Sequence, residues 1–140
     1  MEKITRRKSR EKAIILLYQR DLLKKSIDDL INNDLLVGKR FDDFSLKLIN
    51  GVIGNIKEID RLISSIVQNW SLDRIAVIDR NILRVAIYEM MYEDDIPLKV
   101  SVDEAIEIAK NLGQKQDTPK FINGVLGKLL NNLADERQIV

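Results

Sequence analysis

At 140 residues, without cysteine or histidine, the chain has room for one hydrophobic core and lacks the side chains for disulfides, catalytic thiolate or imidazole chemistry, and the usual zinc sites. Apolar residues at 45% and charged residues at 32% exclude the composition of a disordered chain, and no apolar run approaches the roughly 18 residues of a membrane span. The net charge of +1 conceals an asymmetry: residues 1–12 hold six Lys or Arg and two Glu, a local +4, which leaves −3 for the rest.

Helical periodicity runs through almost the whole chain. Ile14, Leu17, Tyr18 and Leu22 recur at the spacing of one helix face. This short apolar run follows a basic start but lacks the cleavage site of a secretion signal, so a cytoplasmic protein forming a single domain over residues 1–140 is expected. Ser26 is placed to cap a second helix that buries Ile27, Leu30, Ile31 and Leu35 and exits at Gly38. From Asp42 or Asp43 the pattern Phe44, Leu48, Ile49, Val52, Ile53, Ile56, Ile59, Leu62, Ile63 and Ile66 predicts one long helix or two, ending near Asn69. Asp79 is expected to cap the next helix, with Ile82, Leu83, Ala86, Ile87 and Met90 on its buried face and a stop before Pro97. Ser101 and Glu104 have the spacing of a capping box, and Gly113 marks that helix's exit. Thr118 caps and Pro119 opens the last helix, which carries Phe121, Ile122, Val125, Leu126, Leu129, Leu130 and Leu133. With no strand signal in competition, the fold class is all-α, a compact domain of six or seven helices.

Carboxylates remain the available acid/base candidates, at Glu93, Asp94, Asp95 and Asp103 with Glu104. Their places beside turns and helix starts read as solvated capping features. Gly51, Gly54, Gly124 and Gly127 lie inside helical patterns and match neither a P-loop nor a dinucleotide fingerprint. They are expected to permit close helix packing.

The basic segment 5–12 is the strongest functional candidate. On a helix, Arg6 and Arg10 stand one turn apart and Arg7 on an adjacent row, so their guanidinium groups are expected to converge. Arginine forks grip phosphates in bidentate fashion and stack on unpaired bases, which suits single-stranded RNA.

Several ordered blocks sharpen this reading. They are the arginine-rich start leading into Leu17 and Tyr18; residues 55–60, 70–74 and 79–89; Ile96 with Pro97; Glu104 and Ala105 with Ala109 and Lys110; and KFINGVL at 120–126. Together the chain resembles the NusB antitermination family. The resemblance implies RNA contacts at Arg6, Arg7, Lys8 and Arg10, with Tyr18 either contacting RNA or packing in the core. It places Lys120 and Phe121 beside the RNA surface, Phe121 being open to a core role as well. Asp73 and Asp79 would face a basic partner protein or simply cap helices. The partners implied are single-stranded boxA RNA, the ribosomal protein NusE and the RNA polymerase antitermination complex, serving ribosomal RNA operons, with a homodimer open. No cofactor, metal or catalytic residue is implied. Ser9 in the basic run and Pro119 before the last motif depart modestly from the family pattern. Replacing Arg6, Arg7 and Arg10 together is predicted to weaken RNA binding without loss of helicity. Two other readings stand beside this one, a pure protein-interaction module and the helical part of an RNA cytosine methyltransferase. The second conflicts with the missing cysteine and the lack of room for a cofactor domain.

Overall fold

A computed structural model describes residues 5–33, 41–67 and 71–139, with side chains at these positions except 33 and 134–139. Among the described residues there are seven α-helices and no strand: α1 (Arg6–Leu23), α2 (Ile27–Asn33), α3 (Asp43–Gly54), α4 (Ile56–Ile66), α5 (Val77–Tyr92), α6 (Leu98–Leu112) and α7 (Thr118–Ile139), with a short 3₁₀ turn at Leu72–Arg74. The expected Leu35, Gly38 and Asn69 positions, and Trp70 of the 70–74 block, lie outside the described residues.

Local chemistry sets the first three helix starts. Thr5 accepts from the Lys8 amide at 3.1 Å to start α1, Ser26 from the Asp29 amide at 3.1 Å to start α2, and Asp42 from the Ser45 amide at 3.3 Å to start α3. The 43–66 pattern is two helices, broken at Asn55, whose side-chain amide donates back to the Gly51 carbonyl at 2.9 Å.

Helix α5 is the hub, packed by α1, α3, α4, α6 and α7. Enclosed on all sides, it buries Ile82, Leu83, Ala86, Ile87 and Met90 as expected, and also Asp79, Asn81, Arg84 and Glu89. Charge in such a place needs partners. The Arg84 guanidinium forks onto Asp60 of α4 at 2.8 and 2.9 Å and reaches Asp21 of α1 at 2.5 Å. Burial opposes its charged state, but these carboxylates outweigh that and hold its pKa above the ordinary value.

Five expectations are corrected. Leu22 does not share the buried face of α1 but is 56% exposed, because the chain turns away at Lys24, which adopts a left-handed φ of 56°. Asp79 does not cap α5, which begins two residues earlier at Val77. Ser101 and Glu104 form no capping box: α6 begins at Leu98 behind Pro97, and the Ser101 hydroxyl donates instead to Glu89 at 2.9 Å. Of the four glycines, only Gly51 meets a neighbour. A Cβ there would fall 2.2 Å from the ring of Tyr88, whereas Gly54, Gly124 and Gly127 have nothing within 4 Å. The last helix starts one residue early, with Thr118 as its first residue.

Candidate nucleic-acid interface

The basic segment becomes the first two turns of α1, and the tertiary fold treats its cations differently. Arg6 is exposed, with its guanidinium carbon 4.4 Å from the centroid of the Phe44 ring on α3. Arg7, 46% exposed, is held through Nε by Glu104 of α6 at 2.6 Å. That hydrogen bond and the charge behind it raise the Arg7 pKa above its ordinary value. The Lys8 side chain is 68% exposed and lies 3.6 Å from Glu11.

Arg10 departs from the expected comb. Its side chain is only 5% exposed, and Nε and one terminal nitrogen clasp both Glu89 oxygens at 2.7 and 2.8 Å. Helical spacing placed Arg10 beside Arg6, but it also turned Arg10 toward α5, where a buried carboxylate needs a cation. Arg6 and Arg10 do approach a common ring, Arg10 at 5.5 Å from Phe44, so the convergence is on an aromatic side chain and not on open solvent. Ser9, buried beside Arg10, donates to Asp42 at 2.6 Å, and Ser45 donates to the same carboxylate. Burial pushes the Asp42 carboxyl up, but the hydrogen bonds from Ser45 and Ser9 outweigh it and leave the pKa below its ordinary value. A small residue at position 9 is therefore a requirement of the α1–α3 contact.

Tyr18 is half-buried and packs against the core. Lys120 is exposed and Phe121 half-buried, and both line a cleft of about 500 Å³ with Arg74, Lys115, Asp117 and Asp79. The acidic pair does not form a common face. Asp73 is exposed in the 3₁₀ turn, whereas Asp79 is 6% exposed and accepts from the Gln114 amide and the Thr118 hydroxyl, each at 3.2 Å. Its carboxylate ties α5 to the start of α7 and borders the cleft from within. Helix α6 links the two basic regions: Glu104 holds Arg7, and about 12 Å further on, at 1.5 Å per residue, Leu112 leads into the cleft.

The buried carboxylates are engaged. Glu93 accepts from the Tyr88 hydroxyl at 2.8 Å and pairs with Lys47 at 2.9 Å, while Asp94, Asp95 and Asp103 are exposed. Among the described residues no cluster of carboxylates could hold a metal ion, and no helix is long and apolar enough to cross a membrane.

The sequence pattern described as the NusB family matches residues 7–131, from Arg7 in the first turn of α1 to the middle of α7. The chain belongs to the NusB family. Transcription antitermination protein NusB of Desulforamulus reducens is 42% identical over 138 residues, covering 96% of each chain. The Bacillus subtilis protein of the same name is 43% identical over 128 residues, covering 91% of this chain and 96% of its own. The fold agrees: a solved structure of T. maritima NusB superposes with a TM-score of 0.79 at 36% identity, covering 91% of each chain. A crystal structure of antitermination factors NusB and NusE in complex with dsRNA matches in fold, with a TM-score of 0.77 at 23% identity, covering 91% of this chain and 96% of the matched one. Within this NusB fold, Phe44, Glu89, Glu104, Arg74 and Lys115 are site neighbours that sequence reasoning missed. Arg7 and Glu104 are 97 residues apart in sequence and Arg10 and Glu89 are 79 apart, so no local spacing could reveal either pair.

Proposed function

We propose that this chain is an RNA-binding antitermination factor that grips boxA-type single-stranded RNA jointly with ribosomal protein NusE. It thereby promotes transcription of ribosomal RNA operons within the bacterial RNA polymerase antitermination complex, in the cytoplasm. The whole chain acts as one binding domain without catalysis. The observation that carries the reading is the open end of α1, where Lys8 is 68% exposed, Arg6 has no carboxylate partner among the described residues, and Arg7 keeps nearly half its surface in solvent. Lys120, Lys115 and Arg74 around the Phe121 cleft supply a second cationic region, and Asp73 is the exposed acid left to meet a basic partner. Phosphate contacts position the RNA, and base contacts supply its selectivity.

The test is a titration of boxA-like and scrambled RNA across salt concentrations, with and without NusE. Replacing Arg6 and Lys8 by alanine removes two phosphate contacts, so the salt slope should shrink by about 1.4, at about 0.7 per contact on a single strand. Unchanged affinity and slope would instead favour a protein-interaction module, for which Ile15 and Leu22 are exposed apolar groups on α1.

A further inference from the structure

We propose that Arg6, held on the ring of Phe44, stacks on an unpaired RNA base, and that Phe44 is the positioning residue for that contact. The inference rests on the RNA-binding reading above and assigns a distinct task within it. The cations at the start of α1 are otherwise supported by acids: Glu104 holds Arg7 at 2.6 Å, Glu89 encloses Arg10, and Glu11 stands 3.6 Å from Lys8. Arg6 lies closest to the Phe44 ring, at 4.4 Å against 5.5 Å for Arg10, and alone of these four has no ion pair among the described residues.

This difference has a chemical consequence. A carboxylate engages the edge of a guanidinium and cancels its charge, whereas a ring covers one face and leaves both the charge and the N–H edge free. Arg6 is exposed, so the guanidinium face turned away from Phe44 is open. Guanidinium planes are weakly hydrated and stack on splayed bases. Phe44 is itself fixed. It is the second residue of α3, directly behind the Asp42 cap that Ser9 and Ser45 hydrogen-bond, it packs against the core, and the clamped Arg10 lies 5.5 Å from its ring centroid. Holding Arg6 in place before RNA arrives lowers the rotamer entropy lost on binding. Bases in a duplex have their faces covered by their own neighbours, so this platform selects unpaired RNA. Lys8, with a point charge on a flexible stem, contributes only to the phosphate term.

The experiment uses the full chain with NusE, a short boxA-like single-stranded RNA, and a series in which one abasic nucleotide is walked along that RNA. Arg6→Lys keeps the charge and removes the plane. It is expected to weaken binding about tenfold with an unchanged salt slope, the scale of one stacked base. At one position the abasic RNA should weaken the wild type by a similar factor and the Arg6→Lys protein hardly further. Phe44→Leu should act in the same direction, with helicity checked by circular dichroism; if that variant does not fold, the Arg6→Lys and abasic comparison decides alone. Wild-type affinity in Arg6→Lys, or equal abasic penalties in both proteins at every position, overturns the stacking role while leaving RNA binding intact. Absence of RNA binding by the wild-type pair overturns both.

Discussion

Arg10→Ala tests the division between internal and external cations most directly. The Arg10 and Glu89 side chains are 5% and 1% exposed, joined by two hydrogen bonds of 2.7 and 2.8 Å. Truncating Arg10 leaves the Glu89 carboxylate buried with only the Ser101 hydroxyl, and breaking one side of such a pair costs about 3–5 kcal/mol. Against a total stability on the order of 5–15 kcal/mol, that is a large fraction. At roughly 3–4 °C per kcal/mol for a chain of this size, the melting temperature should fall by about 10–20 °C. Replacing both residues by methionine removes the stranded charge and should recover most of the loss, since apolar replacement of a buried pair is often neutral. Thermal denaturation followed by circular dichroism measures both variants. The doubly substituted protein then goes into the RNA titration, where its salt slope should equal that of the wild type. An Arg10→Ala cost below about 1 kcal/mol, or a slope reduced by about 0.7 in the double variant as for one lost phosphate contact, would refute the internal role. On this reasoning the triple replacement of Arg6, Arg7 and Arg10 lowers the melting temperature by at least as much as Arg10→Ala does, so its RNA titration belongs at a temperature where circular dichroism shows the helicity intact.

Gly51→Ala drives a methyl group into the Tyr88 ring, where the nearest atoms stand at 2.2 Å. Overpacking of about 1–3 kcal/mol, together with strain on the Tyr88 to Glu93 bond, outweighs the roughly 1 kcal/mol of helix propensity gained. Denaturant unfolding should show a net loss of about 1 kcal/mol, while Gly54→Ala, with open space around it, should not destabilise. The lowered Asp42 pKa means that its carboxylate stabilises the fold fully above the unfolded value of about 3.9, and that this is lost as pH falls through the lower folded value. Asp42→Ala should therefore cost about 0.5–2 kcal/mol at neutral pH as a lost cap, with the difference from wild type closing in acid. Burial first, and the Glu93 carboxylate second, push the Tyr88 hydroxyl up to about 12. Its contribution is complete below the unfolded value near 10 and is lost as pH rises toward 12, so an ultraviolet titration should find one of the three tyrosines ionising near pH 12.

The sequence by itself determined the helical class, because apolar spacing of three and four residues leaves each helix a stripe that only another helix can cover. It also determined the α2 and α3 starts, since the Ser26 and Asp42 caps act within three residues, and the ordered blocks that mark the NusB family. Where a polar residue's partner lies far along the chain, local rules misled. Asp79 and Ser101 look like caps, but α5 is enclosed on every side, and its buried carboxylates draw hydroxyls and cations from other helices. The same enclosure removed Arg10 from the basic surface. Only the tertiary structure could decide which arginines stay outside, because every arginine has the same charge in sequence, and its availability depends on whether the fold brings it an acid, as for Arg7 and Arg10, or a ring, as for Arg6.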